Sequence, residues 1–270
     1  VSGLAGRVAL VTGANHGIGA AIADRLGAEG AAVAVTFLRS RVADDPGTPE
    51  RYQRARMADG EAVAAGIRER GGRAIAIEPD LLDAAVPAGL LDAVEEALGP
   101  VEILVNNATG WTAGDSFLPD TLDPAGRTTV APTAELFERT FGVDARAAAL
   151  LVAELARRHV ARGATWGRIV GLTSGGRLGF PGEVTYGAAK AAQEHYTASA
   201  AAELGPLGIT ANVVHPPVTD TGWVTDQVRA AVARDPDLLH VADPADVAEV
   251  VAWLCSDAAA MVTGNVIRMR

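Results

Sequence analysis

The 270-residue chain is predicted to fold as a doubly wound α/β protein. In such a fold a parallel sheet, here of about seven strands, lies between two layers of helices as a three-layer sandwich. Three observations predict it. Short apolar runs without polar alternation recur along the chain, as strands buried on both faces of a parallel sheet require. Helical patterns stand between those runs, which is the order that parallel crossovers demand. The first run also passes through a glycine-rich turn directly into a helix, the usual opening unit of such a sheet.

That first run is residues 7–11, Arg-Val-Ala-Leu-Val, followed by Thr12-Gly13-Ala14-Asn15-His16-Gly17-Ile18-Gly19 and a helical pattern from Ala20 to Glu29. A strand, a glycine turn and a helix N-terminus make an anion site, because unpaired backbone N–H groups and the helix dipole point at one place. Gly13 permits the tight turn, Gly17 lets a pyrophosphate approach the backbone, and Gly19 lets the helix pack on the strand. The arrangement predicts dinucleotide binding.

The second strand, residues 32–37, ends in Thr36-Phe37-Leu38-Arg39-Ser40-Arg41. An NAD site usually carries an acid near this point for the ribose 2′-hydroxyl, whereas a 2′-phosphate calls for arginine. Arg39 and Ser40 stand here without an acid, and His16 offers another polar contact, so NADP(H) is the preferred cofactor and NAD(H) the alternative. Residues 42–59 then form an insertion, a turn rich in Asp, Pro and Gly followed by the basic segment Arg51-Tyr-Gln-Arg-Ala-Arg56. It reads as a solvated surface excursion, with further arginines for the phosphate as the alternative.

A helix over 60–70, a third strand over 73–78, a helix over 84–98 and a fourth strand over 101–105 continue the alternation. Asp80 and Leu81 follow the third strand at the carboxyl edge of the sheet, where Asp80 suits an adenine amino group or a helix N-cap. Asn106-Asn107-Ala108-Thr109 closes the fourth strand; such amides satisfy strand-end backbone and leave a wall for a flat ring. Residues 109–133 have no helical period and read as a lid or substrate wall, with Trp111 and Phe117 as candidates either to touch substrate or simply to pack.

A long helix from Pro132 to Arg162 leads to a fifth strand, residues 167–174, ending at Ser174. Thr185-Tyr-Gly-Ala-Ala-Lys190 follows, and at helical spacing Tyr186 and Lys190 share one face. Lys190 is the only lysine among 23 Lys and Arg positions, a compact point charge that a guanidinium does not reproduce. Asp243-Pro244-Ala245-Asp246 is an N-cap with proline at N1, opening a helix to Ser256, and a last strand falls within residues 261–269.

Composition narrows the function classes. A formal net charge of −10 gives no general attraction to nucleic acid or an anionic membrane. One cysteine, Cys255, excludes an intrachain disulfide and a multi-cysteine metal site. No run approaches membrane-spanning length and no leader pattern opens the chain, so a soluble cytoplasmic protein is expected.

The glycine loop, Asp80, Asn106-Asn107-Ala108, Ser174, Tyr186 with Lys190, and the stretch from Asn212 to Thr221 occur in one order across nearly the whole chain. In that order they resemble the short-chain dehydrogenase/reductase family, in particular 3-oxoacyl-carrier-protein reductases. The resemblance implies a single Rossmann-like domain over residues 1–270, in which a hydride moves between nicotinamide and a carbonyl or secondary alcohol. Tyr186 would be the acid/base, Lys190 would lower its pKa and bond the nicotinamide ribose, and Ser174 would hold the substrate oxygen. Pro216, Thr219 and Thr221 would contact the cofactor, residues 222–241 with Trp223 would form a mobile lid, and the protein would be a homotetramer or dimer.

Two departures stand out. Asp144 occupies a position where the family often has an asparagine that completes a proton relay, and a working but shifted relay is expected. Pro217 replaces the usual glycine after Pro216, removing an N–H and fixing φ. The expected activity is that of an NADP(H)-dependent carbonyl reductase or alcohol dehydrogenase on a small molecule, without a metal. A dinucleotide-binding sensor with little turnover, or an epimerase or dehydratase using the same site, are the alternatives. A serine hydrolase would need a histidine base at Ser174, and no motif puts His159, His195 or His215 there.

Overall fold

The computed structural model describes residues 3–42, 45, 47–123, 125–176 and 179–270. Seven parallel strands form one sheet in the order β3-β2-β1-β4-β5-β6-β7. They are β1 (Val8–Val11), β2 (Ala32–Thr36), β3 (Ala74–Ile77), β4 (Ile103–Asn106), β5 (Gly167–Leu172), β6 (Ile209–His215) and β7 (Val266–Arg268). Each expected strand from the first to the fifth lies within two residues of its predicted limits.

The apolar runs lack polar alternation because both strand faces are covered. Ala9, Val11, Val33, Val35, Ile103 and Val105 point into one core, shared with Ile22, Leu26 and Val251. Their neighbours Val8, Leu10, Ala32, Ala34 and Leu104 point into the other, shared with Leu91, Leu151 and Ala200. The first core is covered by α1 (Gly17–Ala28), α3 (Glu61–Glu69) and α9 (Pro244–Cys255), the second by α4 (Val86–Leu98), α6 (Ala148–Ala161) and α7 (Val184–Leu204). The strand order reverses between β1 and β4, which opens a crevice at their carboxyl ends.

The long helix expected over 132–162 is divided. Thr133 caps α5 (Ala134–Phe141) by accepting the Leu136 N–H. Residues Gly142–Ala147 then run as a π-helical stretch before α6 begins. Such widened turns recur at functional sites, and Asp144 lies within this one.

The insertion over 42–59 is not a solvated excursion. Its helix α2 (Glu50–Met57) is fastened at both ends of the crevice. Asn15 Nδ2 of the glycine turn donates to the Ala58 carbonyl at 2.7 Å. Arg51 donates to the carbonyls of Gly222 at 2.8 Å and Val224 at 2.6 Å, just ahead of α8 (Asp226–Val232). Among the described residues no helix is long and apolar enough to cross a membrane.

Candidate active site

A cavity of about 330 Å³ opens at the reversal point of the sheet. Its floor begins at the glycine turn, where Gly13 and Gly17 hold φ of +65° and +55°, in the left-handed region. A Cβ on Gly17 would meet the Thr221 side chain at 2.8 Å, and one on Gly19 would meet the Gly13 carbonyl at 2.2 Å. The turn is therefore packed to the limit of glycine. Asn107 Nδ2 fixes it by donating to the carbonyls of Thr12 and Gly13, both at 2.9 Å, while Thr12 Oγ1 accepts the Asn107 and Ala108 N–H groups. Asp80 Oδ1 accepts the Leu82 N–H at 2.9 Å, closing the turn after β3. No side chain caps α1, and His16 Nδ1 is buried without a hydrogen-bond partner. A dinucleotide fits this cradle: the turn offers uncapped helix-start N–H groups and a glycine-lined backbone to a pyrophosphate.

Ser174, at the carboxyl end of β5, and Tyr186 and Lys190, on the first turns of α7, meet in the inner part of the cavity. The Ser174 side chain lies near enough to the Tyr186 phenol to lower its pKa. Lys190 Nζ lies 5.7 Å from the Tyr186 ring centroid and donates to Gln193 Oε1 at 3.2 Å, and Gln193 Nε2 donates to the Asn106 carbonyl at 3.1 Å. Asp144 faces the same ammonium with Oδ1 at 3.0 Å, in an ion pair whose side chains are 2% and 0% exposed. Its Oδ2 accepts the Gly110 N–H at 2.7 Å and the Thr109 hydroxyl at 3.1 Å. The π-helical stretch, entered at Gly142, is what carries Asp144 to this point.

That ion pair changes the expected electrostatics. Lys190 was to lower the Tyr186 pKa; instead burial, and then the Asp144 and Glu183 carboxylates, push the phenol well above its ordinary value, against the lowering effect of Ser174. A buried ammonium paired at 3.0 Å has little charge left to offer the phenolate.

The outer wall comes from residues 109–133, which fold back onto the start of α7. Asp115 accepts the Thr185 N–H at 3.0 Å and the Thr185 hydroxyl. Trp111 Nε1 donates to Glu183 Oε2 at 2.6 Å, and Arg127 bridges Glu183 at 2.5 Å and Asp123 at 2.6 Å. Burial pushes the Glu183 carboxyl up to about 7, against the pull of Arg127 and the Trp111 bond. Arg127 also lies over the Trp111 ring at 4.9 Å and the Trp223 ring at 5.9 Å.

Most residues singled out from the sequence line this cavity, among them Asn15, His16, Ile18, Ser40, Leu81, Pro216 and Thr219. Gly17, Arg39 and Asp144 do not. Gly17 packs behind the wall against Thr221, and Asp144 lies behind Lys190, paired with its ammonium. Arg39 is turned out of the crevice onto Glu78, with its Nη2 at 2.6 Å from Oε2 and its side chain 52% exposed. Phe117 is 82% exposed and lies on the surface, whereas Trp111 lines the cavity. Sequence reasoning missed Tyr52, Glu183 and Gln193, and did not select Arg56 from its basic segment. For Gln193 the available signal was its spacing, three residues after Lys190 on the same helix, and for Glu183 its place at the N-cap of that helix.

Comparison with known proteins agrees with this geometry. Residues 52–269 match the family model described as enoyl-(acyl carrier protein) reductase, and residues 7–45 match that of short chain dehydrogenases. The uncharacterized oxidoreductase YjdA of Bacillus subtilis is 33% identical over 264 residues, covering 97% of this chain and 94% of that protein. A short chain dehydrogenase from Burkholderia cenocepacia, solved in complex with NADP, is 34% identical at a TM-score of 0.77, covering 98% of this chain and 97% of the other. The angucycline C-6 ketoreductase LanV, solved with bound NADP, is 33% identical at a TM-score of 0.77, covering 99% and 95%. The seven-stranded parallel sheet, with a glycine cradle at its reversal point and Ser174, Tyr186 and Lys190 gathered beside it, thus belongs to a chain similar over nearly its whole length to these proteins, and the chain is an oxidoreductase of the short-chain dehydrogenase/reductase family.

Proposed function

We propose that the protein is an NADP(H)-dependent carbonyl reductase or alcohol dehydrogenase with Tyr186 as its acid/base. The observation that carries this reading is the meeting of Ser174, Tyr186 and Lys190 in a cavity continuous with the glycine cradle. When bound, the nicotinamide supplies or accepts the hydride. Ser174 orients the substrate oxygen by hydrogen bonding, and Tyr186 delivers a proton to that oxygen or removes it. A phenol held above its ordinary pKa is protonated at neutral pH, the form that donates a proton to the substrate oxygen in reduction. Lys190 holds the ribose side of the cofactor and, through Asp144 and Gln193, is fixed in one position. The two NADP-bound relatives support NADP(H), and the ketoreductase among them supports a ketone substrate. In this reading residues 1–270 are one catalytic unit, and residues 222–241 cover the substrate.

The test is NADPH consumption against a panel of ketones and aldehydes, with NADPH affinity measured alongside. Turnover that falls at least 100-fold in Tyr186→Phe while NADPH still binds supports the assignment; turnover that survives the change removes Tyr186 as proton donor. The Asp144–Lys190 pair favours one second reading, a dinucleotide-responsive protein with little catalysis, because it mutes the charge meant to activate the phenol. Tight NADPH binding with no turnover across the panel would support that reading instead.

A further inference from the structure

The strand-end arginine that the sequence offers for a 2′-phosphate is already spent. Arg39 engages Glu78 through its backbone N–H and its guanidinium, so its charge is cancelled and aimed away from the crevice. Arg56 is in the opposite situation. It is 7% exposed, lines the cavity, and has no ion-pair partner among the described residues. Its Nη2 donates to Ser40 Oγ at 2.8 Å and its Nη1 faces the Tyr52 hydroxyl at 3.4 Å, both neutral oxygens. It belongs to the last turn of α2, whose carbonyl end offers partial negative charge only.

A guanidinium keeps its charge in any protein environment, and a buried charge without a counter-ion is costly. The same wall holds a buried polar atom without a hydrogen-bond partner, His16 Nδ1. His16 adds no positive charge there, because burial and the neighbouring Arg56 lower its pKa to about 4. The wall therefore carries one fixed cation, one neutral ring nitrogen and the Ser40 hydroxyl at the end of β2. In a dinucleotide site the end of the second strand is where the adenosine ribose presents its 2′-position.

We propose that Arg56, carried in by the insertion, together with Ser40, forms the binding site for the 2′-phosphate of NADP(H) in place of Arg39. A dianionic phosphomonoester supplies the missing counter-charge and accepts from both the guanidinium and the Ser40 hydroxyl. The assignment rests on the NADP(H) reading above and adds which side chain makes the choice. Asn15 sets its position, since its amide holds the Ala58 and Arg56 carbonyls at 2.7 and 3.4 Å and so fixes the end of α2 over the glycine turn.

The test uses calorimetric binding of 2′,5′-ADP (adenosine 2′,5′-bisphosphate) and 5′-AMP, which differ only in the 2′-phosphate, to the full chain and to Arg56→Gln, Arg56→Lys, Ser40→Ala and Arg39→Gln. The wild type is expected to bind 2′,5′-ADP at least 30-fold more tightly than 5′-AMP. Arg56→Gln is expected to lose at least tenfold for 2′,5′-ADP and less than threefold for 5′-AMP, Arg56→Lys to recover part of that loss, and Ser40→Ala to lose about threefold. Arg39→Gln is expected to change neither by more than twofold. The assignment is overturned if Arg39→Gln carries the loss, or if Arg56→Gln weakens both ligands equally, as a merely structural arginine would. A wild type that prefers 2′,5′-ADP and an Arg56→Gln whose preference is undiminished would sink Arg56 alone, whereas a wild type without preference would sink the NADP(H) reading as well.

Discussion

Replacing Asp144 with asparagine separates the two charges that bear on Tyr186. In the native site the carboxylate answers Lys190 at 3.0 Å, while the ammonium stands 5.7 Å from the phenol ring. With an effective dielectric of about 20, an unanswered unit charge at that range is worth roughly 3 kcal/mol, or about two pK units. The phenol, now held above its ordinary value by burial and by Asp144, should therefore drop by about one to two units in Asp144→Asn. In alcohol oxidation the phenolate is the working form, so the rising limb of kcat/KM against pH should move down by that amount. In reduction the neutral phenol works, and the falling limb should move down equally. Breaking a buried pair from one side also leaves an ammonium without its counter-ion, at a cost of about 3 kcal/mol in stability. Profiles measured in both directions from about pH 7 to the alkaline limit of the folded protein, beyond pH 10, together with denaturant midpoints, check the two consequences. Limbs that coincide with the wild type within 0.3 pH unit would refute the reasoning, since Asp144 would then hold Lys190 without setting the phenol.

Two further outcomes follow from the same geometry. Arg51→Ala removes the bonds to the Gly222 and Val224 carbonyls, each worth about 1 kcal/mol, so KM for the carbonyl substrate should rise about three- to tenfold while NADPH affinity stays within twofold; equal weakening of both ligands would contradict it. His16 and Glu183 should impose opposite pH slopes on stability. His16 keeps its proton off down to about 4 in the folded chain, so its contribution is lost as pH falls from 6.5. Glu183 holds its proton up to about 7, so its contribution is lost as pH rises from 4.5. Each slope is at most about 1.4 kcal/mol per pH unit, and between pH 4.5 and 6.5 they cancel. Midpoint curves should tilt toward acid loss in Glu183→Gln and toward neutral loss in His16→Asn; three superimposable curves would remove both assignments.

The sheet was legible because burial on both faces leaves an unbroken apolar run, as in Ala32–Thr36, and the Tyr186–Lys190 pair because helical spacing puts both on one face. What could not be read depends on contacts between distant segments. Arg39 and Arg56 look alike in sequence; Glu78 disposes of one, and burial against Ser40 and Tyr52 makes the other a site residue. The π-helical stretch over Gly142–Ala147 has no sequence period of its own, yet it delivers Asp144 to Lys190 and so adds to the burial that raises the Tyr186 phenol. Phe117 shows the converse error, an aromatic in the right loop on its outer side.

The lid inferred from residues 222–241 is, in space, one part of a larger roof. Tyr52 of α2 meets the edge of Trp111 at 6.4 Å, and Arg127 lies over both Trp111 and Trp223. The Thr128 N–H donates to Asp45 at 3.1 Å, and Ala125 shares an apolar cluster with Val224, Val228 and Val232. Three segments far apart in sequence are thus tied by hydrogen bonds, rings and a small core of their own. Swinging residues 222–232 alone would strip Arg51 of two carbonyls and uncover that cluster, whereas moving the three together leaves those ties intact. Hydrogen exchange of the ligand-free protein should accordingly show residues 50–57, 111–130 and 222–232 opening with a common free energy, and NADPH should slow all three through its hold on Arg56. Exchange that is fast in 222–232 and slow in the other two would show that the last segment moves by itself, and the roof would then be three neighbours rather than one body.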